Sequence, residues 1–293
     1  YEERYGKNFI PKDMTIQDFG VSYEELEPFF DFAEKVFGTS GQAWTVKGQL
    51  VGAGKGGNPY APDRSSDFPL ESQKNTYSAQ LFQKAALSVG YKPYNLPSAN
   101  TSGPYTNPYG AQMGPCNFCG FCSGYVCYMY SKASPNVNIL PALRQVPNFE
   151  LRTNAHVLRV NLDSSKRKAT GVSYIDAQGR EVEQPADLVI LGAFQFNNVR
   201  LMLLSGIGKP YDPKTGEGVV GKNFAYQNMA TIKAFFDKDT HTNNFIGAGG
   251  NGVAVDDFNA DNFDHGPHGF VGGSPMWVNQ AGSRPIGGTW NPP

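Results

Sequence analysis

All four cysteines of this 293-residue chain fall between Cys116 and Cys127, spaced C-x2-C-x2-C-x4-C. Gly120 and Gly124 lie between the sulfurs and let the backbone wrap closely around whatever they hold. Thiolates converging from one short loop suit a soft ligand, zinc or an iron–sulfur cluster. The plain alternatives are local disulfides or four unrelated thiols. Disulfides this close would close very small loops, which remove little unfolded-chain entropy. Structural zinc usually takes two separated ligand pairs, and the sequence has no second pair. The compact run is nearer the ferredoxin style, although Tyr128 follows Cys127 where such a run usually has proline. The expected ligands are Cys116, Cys119, Cys122 and Cys127. Three of them suffice for a 3Fe-4S cluster, which is favoured over 4Fe-4S; the spacing does not say which cysteine would be spare.

The elements that must position this loop are mixed. Glycine (34), proline (21), tyrosine (15) and phenylalanine (20) are abundant, which points to loops and strands on an aromatic core rather than a helical bundle. A net charge of −1 gives no electrostatic case for nucleic acid or an anionic membrane. No apolar run reaches the roughly 18 residues of a membrane-spanning helix. The first methionine is Met14, no signal peptide is present, and the last residues form an open glycine- and proline-rich stretch. The chain is therefore expected to be an internal part of a longer product.

Ser22-Tyr23-Glu24-Glu25 reads as a capping box. Leu26, Phe29, Phe30, Ala33, Val36 and Phe37 follow at helical spacing to a stop at Gly38, and the aromatics among them are expected to be core. Pro28 opens or kinks this helix. Residues 38–73 read as a long loop and 76–89 as a second helix with Leu81, Phe82, Ala85, Ala86 and Val89 on one face. A short helix is expected near Ile139 to Val146, ended by Pro147. Strands are expected at 149–153 and 156–162, then a hairpin of 171–176 with 181–183. Asp187 to Ala193 reads as a buried strand ending at a tight turn, followed by an apolar helix from Val199 to Leu204. Short strands near 229–236 and 252–256 suggest a further antiparallel sheet.

Three glycine motifs are weak. Gly52 to Gly57 and Gly247 to Gly252 both match G-x-G-x-x-G, but neither has the preceding strand and following helix that a dinucleotide fingerprint needs. Gly216 to Asn223 lacks the Ser or Thr of a phosphate-binding loop. His156, on a strand, reads as structural. His241, His265 and His268, with Asp264, are a minor metal candidate.

Residues 149–208 resemble the glucose–methanol–choline (GMC) family of FAD-dependent oxidoreductases. Asn154-Ala155-His156-Val157-Leu158-Arg159-Val160 is similar to that family's strand beside the FAD adenine. Asp187 to Ala193 with Leu201 to Gly208 resembles its second signature, and Gly218 to Phe224 its V-G-x-N-[LF] element. Gln227 stands where many members have histidine, and Asn198-Val199 where they have Ser-Pro. The cysteine loop and Gly208 to Pro213 are similar to the membrane-associated gluconate, 2-ketogluconate, fructose, sorbitol and glucose dehydrogenase large subunits.

The resemblance implies an α+β or α/β fold: a partial FAD-binding domain lacking its N-terminal Rossmann strand and helix, plus part of an antiparallel-sheet substrate domain. It divides the chain into helices and loops of both domains at 1–110, a cluster loop at 111–135, an FAD-binding segment at 136–208 and a partial substrate domain at 209–293. The family's pyrophosphate-gripping glycine motif and its C-terminal catalytic histidine are both missing, so no catalytic residue is assigned. The FAD contacts implied are Val157, whose edge strand offers backbone N–H and C=O to adenine, and Gly192 and Ala193, small where a strand ends near the nucleotide. A plain strand valine and tight packing are the corresponding structural readings. Asn279 and Gln280 lie where the family's substrate domain faces the flavin.

The function implied is oxidation of a sugar or sugar-acid hydroxyl, electrons leaving FADH2 through the cluster to a cytochrome or quinone. The implied partners are a small subunit and a c-type cytochrome subunit on the periplasmic face of the bacterial inner membrane. No C-x-x-C-H occurs, so this chain holds no c-type haem itself. A GMC oxidase with inert cysteines and a zinc-stapled binding module are the competing readings.

Overall fold

Val253, Ala254 and Val255 are almost wholly buried, and the best-formed core gathers around them. They belong to strand β9 (Gly252–Val255), the centre of a three-stranded antiparallel sheet with β3 (Pro93–Asn95) on one side and β10 (Met276–Asn279) on the other. A strand with neighbours on both edges and cover on its faces reads as a continuous apolar run rather than an alternating one. The cover includes helix α2 (Tyr77–Ser88), whose small Ala79 and Ala86 allow close approach. This computed structural model describes residues 5, 6, 8, 19–122, 125–226, 229–243 and 246–279. The chain divides into two units, one of residues 18–149 with 235–293 and the other of 1–17 with 150–234.

In the first unit, helix α1 (Tyr23–Phe37) begins as its sequence dictates. Glu25 N–H donates to Ser22 Oγ at 3.2 Å and Ser22 N–H to the Glu25 carboxylate at 2.8 Å. The helix runs on through Pro28 and stops at Gly38, whose φ of 65° is left-handed. Its aromatic stripe is not core, contrary to expectation: Phe29 is 71% exposed, and Phe30 and Phe37 are exposed too. The polar face turns inward instead. Glu27 accepts from the Ser65 backbone at 2.8 Å, Asp31 pairs with Ser66, and Glu34 pairs with Arg64. Val36 is the buried residue of this helix, and these charged-group hydrogen bonds share its inner side. The long loop contains one hairpin, β1 (Thr45–Val46) with β2 (Gln49–Leu50), turned by Lys47 and Gly48 at positive φ. Strands β4 (Tyr105–Thr106) and β5 (Gln112–Met113) pair just before the cysteines. Two short helices, α3 (Pro135–Asn138) and α4 (Leu140–Leu143), replace the single one expected at 139–146.

In the second unit, β6 (His156–Leu162), β7 (Ala169–Ile175) and β8 (Glu181–Pro185) form an antiparallel meander in that order, with a bulge near Leu158. Helix α5 (Gln195–Leu204) packs on β6 and begins earlier than the apolar run suggested. Three expected strands do not form: residues 149–153, 187–193 and 229–236 carry no strand. In the 187–193 run Leu188 is 75% and Ile190 82% exposed, so this is not a buried strand. A strand is stabilised by partners at its edges, and no described residue offers it one. The fold is α+β, because every strand ladder among the described residues is antiparallel. No helix of the described residues is long and apolar enough to cross a membrane.

Candidate cluster site and flavin-side residues

The cysteine loop is tied shut at its neck by two buried hydroxyl residues. Thr101 Oγ1 donates to Gly114 O at 2.6 Å, Cys116 N–H donates to Thr101 O at 2.8 Å, and Thr101 N–H donates to Ser131 O at 3.1 Å. Thr101 and Ser131 have no exposed surface. Buried polar groups of this kind must be paired, and each satisfies the other's chain. Inside the neck, Phe118 and Gly120 both take positive φ, 57° and 77°, which turns the chain twice within three residues.

The loop rests on a floor of glycines. Gly120 N–H donates to Gly247 O and Gly247 N–H to Phe118 O, each at 3.3 Å, so Cys119 bridges to Gly247. A Cβ on Gly249 would stand 3.1 Å from Cys122 Cβ and 3.5 Å from its sulfur. Gly249 O is held in turn by Ser98 Oγ at 2.6 Å. Lys132 Nζ donates to Cys122 O at 2.8 Å and to Tyr125 O at 3.3 Å, pinning the far side.

All four cysteines are free and half-buried. Cys119, Cys122 and Cys127 line one pocket of about 190 Å³, walled by Phe121, Tyr125 and Tyr128. Burial pushes the Cys116 thiol up; the Phe118 N–H and the Asn100 amide oppose the rise, and Cys122 and Cys127 add to it. Asn100 Nδ2 also stands 3.6 Å from Cys122 Sγ. The donor set fits a soft multinuclear group: unpaired thiols, apolar walls and N–H donors aimed at sulfur. Among the described residues no three or more His, Cys, Asp or Glu side chains are grouped to hold a metal ion. A single zinc ion would need its sulfurs about 2.3 Å from one point. A cluster binds thiolates on separate irons, so its sulfurs need not meet at one point; three of the four cysteines line the pocket, and Cys116 is not among its lining residues.

Val157 lies on β6, an edge strand, opposite Tyr174. The outer edge of β6 is partly used, since Val160 N–H donates to Ser205 Oγ at 2.8 Å. Gly192 and Ala193 are exposed, and nothing lies within 4 Å of where a Gly192 Cβ would point. Tight packing therefore does not account for that glycine among the described residues. Asn198 brackets the pair: its Oδ1 accepts from Ala193 N–H at 2.8 Å and its Nδ2 donates to Leu191 O at 3.3 Å. Phe194 follows at φ 70° and ψ 154°, a region that glycine occupies and other residues rarely do. Phe224 of the V-G-x-N-[LF] element packs against Phe196, the ring centroids 4.8 Å apart and the planes tilted by 42°.

Other candidates are placed as follows. Gly52 and Gly57 are required by packing, since a Cβ on either would lie within 2.8 Å of Ala43 O; no helix follows them. Gly216 to Asn223 forms turns and a bridge to Pro210. His265 and His268 join Phe263 and Phe270 in an aromatic cluster, with Asp261 at 3.1 Å from His265 Nε2. His241, His265 and His268 form no metal group among the described residues. His156 is exposed. Asn279 pairs with Gly252 across β9 and β10; Gln227 and Gln280 lie outside the described residues. Sequence reasoning missed Asn100, Ser98 and Lys132, and set aside the Gly247 to Gly252 run. Glycines dense enough to bind a phosphate yet lacking the flanking helix are the signal for a close backbone approach.

Residues 20–229 match the family model described as GMC oxidoreductase. The chain belongs to the GMC oxidoreductase family, whose members carry FAD. It is 78% identical over 292 residues to the gluconate 2-dehydrogenase flavoprotein of Pantoea cypripedii, covering all of this chain and 48% of that protein. It is 26% identical over 220 residues to the 2-methyl-1,2-propanediol dehydrogenase of Mycolicibacterium austroafricanum, covering 73% of this chain and 35% of that protein. It is 23% identical over 223 residues to the fructose dehydrogenase large subunit of Gluconobacter japonicus, 73% of this chain and 37% of that protein. The chain thus spans about half the length, or less, of the curated relatives it matches.

Proposed function

We propose that the full-length protein containing this chain is an FAD-dependent dehydrogenase of a sugar or sugar acid, of gluconate, ketogluconate, fructose, sorbitol or glucose type. Electrons leave by way of an iron–sulfur cluster, 3Fe-4S in preference to 4Fe-4S, held by Cys116, Cys119, Cys122 and Cys127, for a cytochrome or quinone. The observation that carries this reading is the 78% identity over the whole chain to a gluconate 2-dehydrogenase flavoprotein. The four unpaired thiols on one seated loop support the cluster. One relative is named a large subunit; this motivates a small subunit and a c-type cytochrome subunit as partners, at the periplasmic face of the bacterial inner membrane.

Bound FAD supplies the hydride acceptor and a bound cluster a one-electron relay. This chain's own residues do the positioning. The β6 edge at Val157 offers backbone donors and acceptors to an adenine, and Asn198 fixes the turn that carries Gly192 and Ala193. Within the other unit, Thr101 and Ser131 close the neck of the cysteine loop. Lys132 and the glycine floor then fix where the sulfurs stand. In this reading residues 136–208 are an FAD-binding segment, residues 111–135 the cluster loop, and 209–293 part of the substrate domain.

Purified full-length protein tests this. Flavin absorption, iron rather than zinc by metal analysis, a cluster signal in electron paramagnetic resonance, and gluconate-dependent reduction of an artificial acceptor are expected. Zinc without iron would support a zinc-stapled module instead. Oxygen consumption undiminished by Cys122→Ser would make the protein an oxidase.

A further inference from the structure

Asn100 is 4% exposed, and its backbone is locked from three sides. Its carbonyl accepts from Ser40 Oγ and from Gln73 Nε2, each at 2.7 Å, and its N–H donates to Ser98 Oγ at 3.2 Å. Ser40 and Ser98 are themselves buried. A backbone held this way leaves the carboxamide little freedom, and its Nδ2 stands 3.6 Å from Cys122 Sγ. A buried amide left without a partner is costly. A neutral thiol is a weak acceptor and a thiolate a strong one, so the amide is arranged for an anionic sulfur. Lys132 is directed at Cys122 O.

We propose that Asn100 is a positioning residue for the cluster ligand Cys122, and that its N–H···S hydrogen bond raises the reduction potential of the cluster. The proposal rests on the cluster reading above. Reduction adds negative charge that spreads onto the sulfurs, so an amide fixed at Cys122 Sγ, and facing the Cys116 thiol as well, stabilises the reduced state more than the oxidised one. Neither charge nor bulk at this position supplies that effect; a hydrogen on nitrogen does.

The test uses the full-length flavoprotein and two substitutions of similar size. Asn100→Leu removes the donor, and Asn100→Asp replaces it with an anion; neither touches the backbone bonds to Ser40, Gln73 and Ser98. The readouts are iron per flavin and the cluster midpoint potential from a redox titration followed by electron paramagnetic resonance. Iron and flavin contents equal to the parent are expected. The Asn100→Leu midpoint is expected to fall by a tenfold shift of the reduction equilibrium, about 59 mV for one electron, and that of Asn100→Asp to fall further. Unchanged potentials in both variants would overturn the proposal, and so would loss of iron from both, because Asn100 would then build the site rather than tune it. Parent protein without iron would overturn the cluster reading itself, and is seen before any variant is made.

Discussion

The cysteine loop and the apolar run at 187–193 are both short segments that composition singles out, and the structure treats them oppositely. The loop is tied at its neck by Thr101 and Ser131, floored by Gly247 to Gly250 and pinned by Lys132. The run holds Leu188 and Ile190 largely exposed and carries no strand. A loop that closes on neighbours within its own unit obtains its shape from hydrogen bonds already in the chain. A strand obtains its shape from other strands, and none pairs with this one among the described residues. Asn198, bridging Ala193 and Leu191, holds the end of the run in place.

That contrast can be broken or sharpened by substitution. The largest effect is expected at the floor. Gly249→Val puts a branched side chain against Cys122, where even a Cβ would stand 3.1 Å from its Cβ. On the cluster reading, metal affinity of the full-length protein should fall about 10- to 100-fold, seen as iron per flavin. Unchanged iron would mean the floor is not part of the site. Gly171→Ala in β7 comes next. Its φ is 152° and a Cβ would meet Gln184 O at 2.2 Å, so the β7–β8 pairing must open. A loss of about 1–3 kcal/mol in chemical denaturation is expected; a neutral result would contradict the pairing of Gly171 with Pro185 across β7 and β8.

Asn198→Ala should cost about 1 kcal/mol and speed hydrogen exchange at the Ala193 amide without altering exchange in β6. Equal protection in both would show that the bracket does not hold the turn. The smallest effect is expected at Ile190→Ser. In this chain it should change stability by no more than about 0.5 kcal/mol, as an exposed site does. The same substitution in the full-length protein measures whether another segment covers the run, because a loss of about 2 kcal/mol or more there requires burial.

What could be read beforehand follows the range of the forces involved. The capping box at Ser22 and Glu25, the stop at Gly38, helix α2 and the β6–β7–β8 meander were legible because each depends on neighbours a few residues away. The aromatic stripe of α1 was misread, since spacing shows which residues share a face but not which way the face turns. Polar partners at Ser65, Ser66 and Arg64 decided that. The Gly247 to Gly252 run was legible as glycine-rich and illegible as a floor, because what it carries lies more than a hundred residues earlier in the chain.

By itself, the sequence determined the donor set: four sulfurs within twelve positions, with glycines that let the chain bend around them. It also carried the family membership, through signatures that are local strings. Only the tertiary structure decided which groups face those sulfurs. Asn100 lies 22 residues before Cys122 and Gly249 more than a hundred after it, and a hydrogen bond or a close backbone approach exists only once folding has brought both partners to within a few ångströms.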